Sequence, residues 1–226
     1  ALSQKTFGDS NFVIYIPSFL AGLAMIIFTN EIHKELVDKK NQLFSILILS
    51  TTFLWINYFH MASQDILFAS IITFGIYSSI KAFKTEKNIF LFFSGVWIGL
   101  AVMIKTYLAA IPFLAILPFL MKSKVIKNKW FWIGTFSGFI PFIIWSYKII
   151  LIYGFKNFSR LYAKLLTLSK NNNFTNPFYY YLWNLILNAL PWSIFSMVGF
   201  LINFKVKDKL SHYFLVKYPL IIIVFL

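Results

Sequence analysis

The sequence has no cysteine, which removes disulfides, thiol nucleophiles and cysteine-ligated metals together. Acid is nearly as scarce. Seven Asp and Glu stand against 21 Lys and Arg, a formal net charge of +14, and arginine occurs once, as Arg160. Charged residues of either sign make up 12% of the chain, where a soluble domain carries about twice that share. No Gly-x-Gly-x-x-Gly, P-loop, His-Glu-x-x-His or Gly-x-Ser-x-Gly sequence occurs, which excludes the common soluble nucleotide, zinc-protease and serine-hydrolase sites. The lysines sit in loops without a basic-aromatic RNA-binding pattern, so no nucleic-acid partner is expected.

What is abundant is apolar. Hydrophobic residues form 59% of the chain and its mean hydropathy is +0.74, which describes an integral membrane protein. A membrane helix needs about 20 apolar residues. Candidate spans are 12–29, 43–60, 65–80, 89–104, 107–121, 130–153, 179–203 and an incomplete 213–226. The expected fold is therefore all-α, a polytopic bundle of about eight spans forming one domain over 1–226. The chain starts at Ala1 and stops inside the apolar YPLIIIVFL run, so it is read as a segment lacking flanking helices.

Thirteen of the 21 basic residues lie in four short segments, 30–42, 81–88, 121–129 and 204–212. Positive-inside bias puts all four in the cytoplasm. Two cytoplasmic loops must be joined by an even number of crossings, so 89–121 is expected to be a hairpin with its outer tip at Lys105–Thr106. Lys105 is the only charged residue between Ile89 and Met121. The same parity places residues 1–11, 59–65 and 154–178 outside.

Segment 154–178 is too polar to span. Phe155, Phe158, Leu161, Tyr162, Leu165 and Leu168 recur at helical spacing, while Lys156, Arg160 and Lys164 share another face. This predicts an amphipathic helix in the outer interface with a basic stripe, serving either as a lipid-headgroup anchor or as a phosphate contact. Of the acids, Glu31, Glu35, Asp38, Glu86 and Asp208 fall beside lysines on the inner side, and Asp9 lies in the outer N-terminal stretch. Asp65 opens a span at the outer face, where it is either a helix cap or a functional carboxylate. His60 is read as an interfacial histidine. Asp65, Lys105, the basic stripe and Tyr179–Tyr181 together suit a lipid-linked phosphate, the cations holding phosphate and the aromatics facing a sugar or isoprenoid tail.

Four stretches carry a resemblance: IPSFLAGLAMIIF, FHMASQDILFASI, GVWIGLAVMIKTYLAAIPFL and NPFYYYLWNLILNALPW. In this order they resemble the multi-spanning lipid-phosphate-sugar glycosyltransferases of GT-C fold, the protein O-mannosyltransferase and aminoarabinose-transferase superfamily. The first departs from the family's R-x-P-S opening, with Tyr15 or Ile16 where arginine is expected. The resemblance implies a polyprenyl-phosphate-sugar donor, an acceptor hydroxyl on a protein, lipid or glycan, and a bacterial inner-membrane protein whose site faces outward. Asp65 would be catalytic. Lys105, Lys156, Arg160, Lys164, Tyr179 and Tyr180 would bind substrate. The family's principal acid is expected upstream of residue 1. Its metal-binding histidine has no counterpart in 154–178, so no residue is assigned to a metal and the cofactor is left open. The alternative from another class is a non-catalytic or transport protein, such as a lipid or glycan flippase. Transporters place paired charges near the midplane, whereas Lys148 and Lys217 have no acidic partner in the spans.

Overall fold

The structure is a computed structural model that describes residues 11–37, 41–59, 61, 63–170, 177–203 and 208–225. Asp9, Asp38, His60 and part of the 204–212 loop lie outside the described residues. The long helices follow the apolar runs: α1 (Asn11–Leu36), α4 (Gln64–Thr85), α5 (Asn88–Lys105) and α7 (Lys129–Tyr153). Shorter ones are α2 (Gln42–Ser50), α3 (Phe53–Phe59), α6 (Ala110–Lys122), α8 (Phe155–Lys170), α9 (Phe178–Asn188), α10 (Ser193–Asn203), α11 (Lys209–His212) and α12 (Tyr218–Phe225). No strand occurs among the described residues.

Among the described residues, four helical stretches are long and apolar enough to cross a membrane: Val13–Leu36, Gln64–Thr85, Asn88–Lys122 and Lys129–Tyr153. A fifth arises if the pair Leu182–Asn188 and Ser193–Ile202, bent by 109°, counts as one span. Two of the expected spans, 43–60 and 179–203, are instead broken helices, for local reasons. In 43–60 the Thr51 and Thr52 hydroxyls donate to the carbonyls of Leu47 and Leu49 (2.6 and 2.8 Å), and the helix stops between α2 and α3. In 179–203 the break falls at Pro191, which has no N–H to continue a helix. The two breaks meet: Phe53 N–H donates to Leu190 O at 3.0 Å and Trp192 Nε1–H to Thr51 Oγ1 at 2.7 Å. Helix α1 also runs through residues 30–36, expected as loop. Glu31 and Lys34 form an i,i+3 pair there, and no glycine or proline interrupts.

The Asn88–Lys122 stretch doubles back. At one end Lys105 meets Asp65 at the start of α4; at the other, the rings of Phe119 and Phe83 stack edge-on 5.7 Å apart at the end of α4. Thr106, with φ 44° and ψ −112°, opens the reversal, and a 3-10 turn over Thr106–Ala109 completes it. The expected hairpin, with its tip at Lys105–Thr106, is thus observed.

Small residues set the packing of the central pair. Gly95 on α5 lies so close to α7 that a Cβ there would sit 2.1 Å from Phe131 O. Reciprocally, a Cβ on Gly134 would sit 1.9 Å from Phe92 O, and one on Gly138 2.2 Å from Val96 O. Close backbone approach through small residues is how apolar helices gain dispersion contact where lipid offers no hydrophobic drive. The matches run in the same direction along both helices, so α5 and α7 are parallel. Gly75 of α4 receives the indole of Trp97, which is 1% exposed. Helix α1 runs parallel to α4: Ser18 Oγ donates to Ser63 O (3.4 Å) near their starts, and Glu35 pairs with Lys81 and Lys84 near their ends.

The molecule therefore has two poles. The described parts of all four basic segments meet at one: Lys84 Nζ donates to Glu35 O, Ser211 Oγ lies 2.7 Å from Leu36 O, and Phe83 and Glu86 share a small cavity with Ser123 and Lys124. Asp65 and Lys105 define the other.

Replacing Gly134 with alanine should destabilise the protein by about 1–3 kcal/mol, because the clash is with backbone that cannot rotate away. Gly199→Ala, with nothing within 4 Å of the new methyl, should be neutral or slightly stabilising. Thermal unfolding of both variants in detergent checks the contrast.

Candidate active site

The site is built on the start of α4. Ser63 is the N-cap: its Oγ accepts the N–H of Asp65 at 3.0 Å and donates to Asp65 Oδ2 at 2.8 Å. Capping thus falls to Ser63, and Asp65 sits in the first helical turn, where the helix dipole favours its charge. Sequence reasoning weighed Asp65 itself as the cap; the Ser-x-Asp spacing was the signal for Ser63.

The other carboxylate oxygen, Oδ1, takes Lys105 Nζ at 2.6 Å. Each oxygen of Asp65 therefore has one donor, and both partners are fixed by turns. The Asp65 side chain is 58% exposed and that of Lys105 25%, so the acid is the open member of the pair. A carboxylate held this way can accept a proton or hydrogen bond from an incoming hydroxyl on its free lone pairs. An ammonium with one of its three protons engaged can still donate to a phosphate oxygen. The Ser63 carbonyl takes the buried Ser18 hydroxyl, so the IPS stretch of α1 also abuts this turn. Three of the four stretches singled out in the sequence converge here.

The remaining candidates lie on α8 and α9. Helix α8 exists as expected, after Gly154 (φ 78°), and packs mainly on α7. Because α7 is parallel to α5, it delivers α8 toward the Asp65 pole. Lys156, Arg160 and Lys164 are exposed on it. Tyr179 and Tyr180 are 72% and 45% exposed on α9, whose neighbour is α3. Among the described residues no group of three or more His, Asp or Glu comes together as a metal site.

Helices of this length and apolarity, with an ion pair held on the turns at one pole, define a polytopic helical membrane protein with a polar site at one helix-end surface. The chain belongs to the dolichyl-phosphate-mannose-protein mannosyltransferase family, whose profile matches residues 1–147, a stretch that includes Ser18, Ser63, Asp65 and Lys105. It is also 28% identical over 232 residues to the undecaprenyl phosphate-alpha-4-amino-4-deoxy-L-arabinose arabinosyl transferase of Wigglesworthia glossinidia brevipalpis, across 95% of this chain. The chain spans 41% of that relative's length. No solved structure matches it.

Ser63→Ala removes the cap and the hydroxyl on Oδ2 together, and should lower stability by about 1 kcal/mol. Ser63→Asn retains an N-cap acceptor and should stay close to the parent. Comparing the two thermal midpoints isolates the cap from any general sensitivity of this turn.

Proposed function

We propose that this chain is part of a membrane glycosyltransferase that moves a sugar from a polyprenyl-phosphate donor to a hydroxyl on a protein, lipid or glycan. The observation that carries the reading is the Asp65–Lys105 pair, held at one pole inside the family-matched region. The relative's printed name, a transferase acting on an undecaprenyl-phosphate sugar, supports the same donor class.

In this reading Asp65 accepts the proton of the acceptor hydroxyl as its oxygen attacks the anomeric carbon. The bond from that carbon to the donor phosphate breaks, and its electron pair leaves with the phosphate. Lys105 orients Asp65 and donates to a phosphate oxygen as charge builds there. A hairpin tip recessed from bulk water strengthens that contact. Lys156, Arg160 and Lys164 supply further cations from α8, lying in the outer interface, and Tyr179 and Tyr180 face the sugar or the isoprenoid tail. The site faces outward from a bacterial inner membrane, with about eight crossings in this segment arranged as one domain.

A transport role draws on one observation, the 109° bend between the α9 and α10 segments, since broken helices line transporter sites. The charged pair argues against it, being at helix ends and not beside that bend.

Two substitutions in the full-length protein test the transferase reading. Lys105→Met keeps the stem and removes the charge, and should lower transfer from a polyprenyl-phosphate sugar at least about a hundredfold. Asp65→Asn, which keeps the shape, should lose a similar factor with expression unchanged. Transfer at the parent rate in both variants would make the pair structural.

A further inference from the structure

The pole opposite Asp65 holds a cavity of about 730 Å³ that sugar transfer does not use. Pro118, Phe119 and Ile221 give it apolar walls. Three lysines stand on it from three separate elements: Lys122 in the last turn of α6, Lys209 in α11, and Lys217 at the end of a π-helical turn over Tyr213–Lys217. The apolar walls are well fixed. Tyr213 Oη donates to Ala115 O at 2.6 Å, and Phe119 packs against Phe214 with ring centres 4.8 Å apart.

Two sets among the cations of this pole matter for the cavity. Lys34, Lys81 and Lys84 are matched by Glu31 and Glu35. Lys122, Lys209 and Lys217 are exposed and have no carboxylate within 4.0 Å among the described residues. Asp208 lies beside Lys209 in sequence, but its Oδ2 accepts the N–H and hydroxyl of Ser211 at 2.8 and 2.6 Å. Those bonds hold its carboxyl below the usual range. Three ammonium groups without a described carboxylate partner around an apolar cavity fit an anionic amphiphile: a soluble phosphate would leave the apolar walls wet, and a neutral lipid would leave the charges unmatched.

We propose that this cavity binds an anionic phospholipid of the surrounding bilayer, its phosphate against Lys122, Lys209 and Lys217 and the upper part of its acyl chains against Pro118, Phe119 and Ile221. A polyprenyl phosphate shares this chemistry. The bilayer phospholipid is favoured because α5, at 18 residues about 27 Å long, separates this pole from the Asp65–Lys105 pair where a carrier phosphate would react.

The test is native mass spectrometry of the full-length protein released from mixed micelles of phosphatidylglycerol and phosphatidylcholine. The parent should retain phosphatidylglycerol in preference. Combined Lys122→Gln, Lys209→Gln and Lys217→Gln should reduce that preference on the order of tenfold. A charge-matched control, Lys87→Gln, Lys127→Gln and Lys129→Gln, changes residues of the same pole that do not line the cavity and should keep it. Equal loss in both variants would reduce the effect to general surface charge and overturn the site, as would no preference in the parent. In a further arm with added undecaprenyl phosphate, displacement of phosphatidylglycerol at equimolar carrier, dependent on the three lysines, would assign the cavity to the carrier instead. If the triple variant unfolds early, Lys217→Gln alone should give a partial loss of preference, and its absence would equally overturn the proposal.

Discussion

An ammonium between two apolar runs must reach an interface or be matched by an anion, since leaving it buried and alone costs several kcal/mol. Lys105 is the only charge between Ile89 and Met121, and the chain around it satisfies this constraint by turning. The reversal at Thr106 brings the lysine to the end of α5, antiparallel to α4, where Asp65 waits in the first turn. Ser63, by capping α4 and bonding the second carboxylate oxygen, fixes the acid on the side away from the base. The pair is thus a consequence of how two helix ends are built, and its open side belongs to the acid.

The rest of the packing keeps that pole in register. The glycine faces of α5 and α7 lock the two helices parallel at backbone contact, and this carries Gly154 and the basic helix α8 toward the Asp65 end. Helix α1 is pinned to α4 at both ends, by Ser18 on Ser63 and by Glu35 on Lys81 and Lys84. The poles differ in how charge is handled. One holds the Asp65–Lys105 pair; the other combines a cluster in which Glu31 and Glu35 match Lys34, Lys81 and Lys84 with three lysines around an apolar cavity.

Much of this was legible in the sequence. Apolar runs located the long helices, loop charge grouped the four basic segments, and parity required the hairpin. Asp65 and Lys105 were each singled out, but not as partners. They are 40 residues apart, and no periodicity links residues across two helices. Hydropathy also missed where two of the expected spans break. Thr51, Thr52 and Pro191 are too few to dent an average over about 20 residues, yet the threonine hydroxyls and the missing proline N–H end helices locally. The cavity at the basic pole was invisible because Lys122, Lys209 and Lys217 come from distant segments. The basic stripe of α8 and the tyrosines of α9 can be read as faces, and where they stand relative to the pair depends on packing that patterning does not encode.

Lys105 sits at the tip of a doubled-back run against Asp65 and not inside one long helix. The absence of native thiols makes a direct measurement simple: spin labels on Asn88→Cys and Lys122→Cys, both exposed positions, with the distance read by pulsed electron paramagnetic resonance. A reversal at Thr106 predicts a separation below about 30 Å, since Leu91 and Ser123 line one cavity. A distribution centred near about 50 Å, the length of an unbroken helix over these 35 residues, would contradict the hairpin and with it the placement of Lys105 on Asp65.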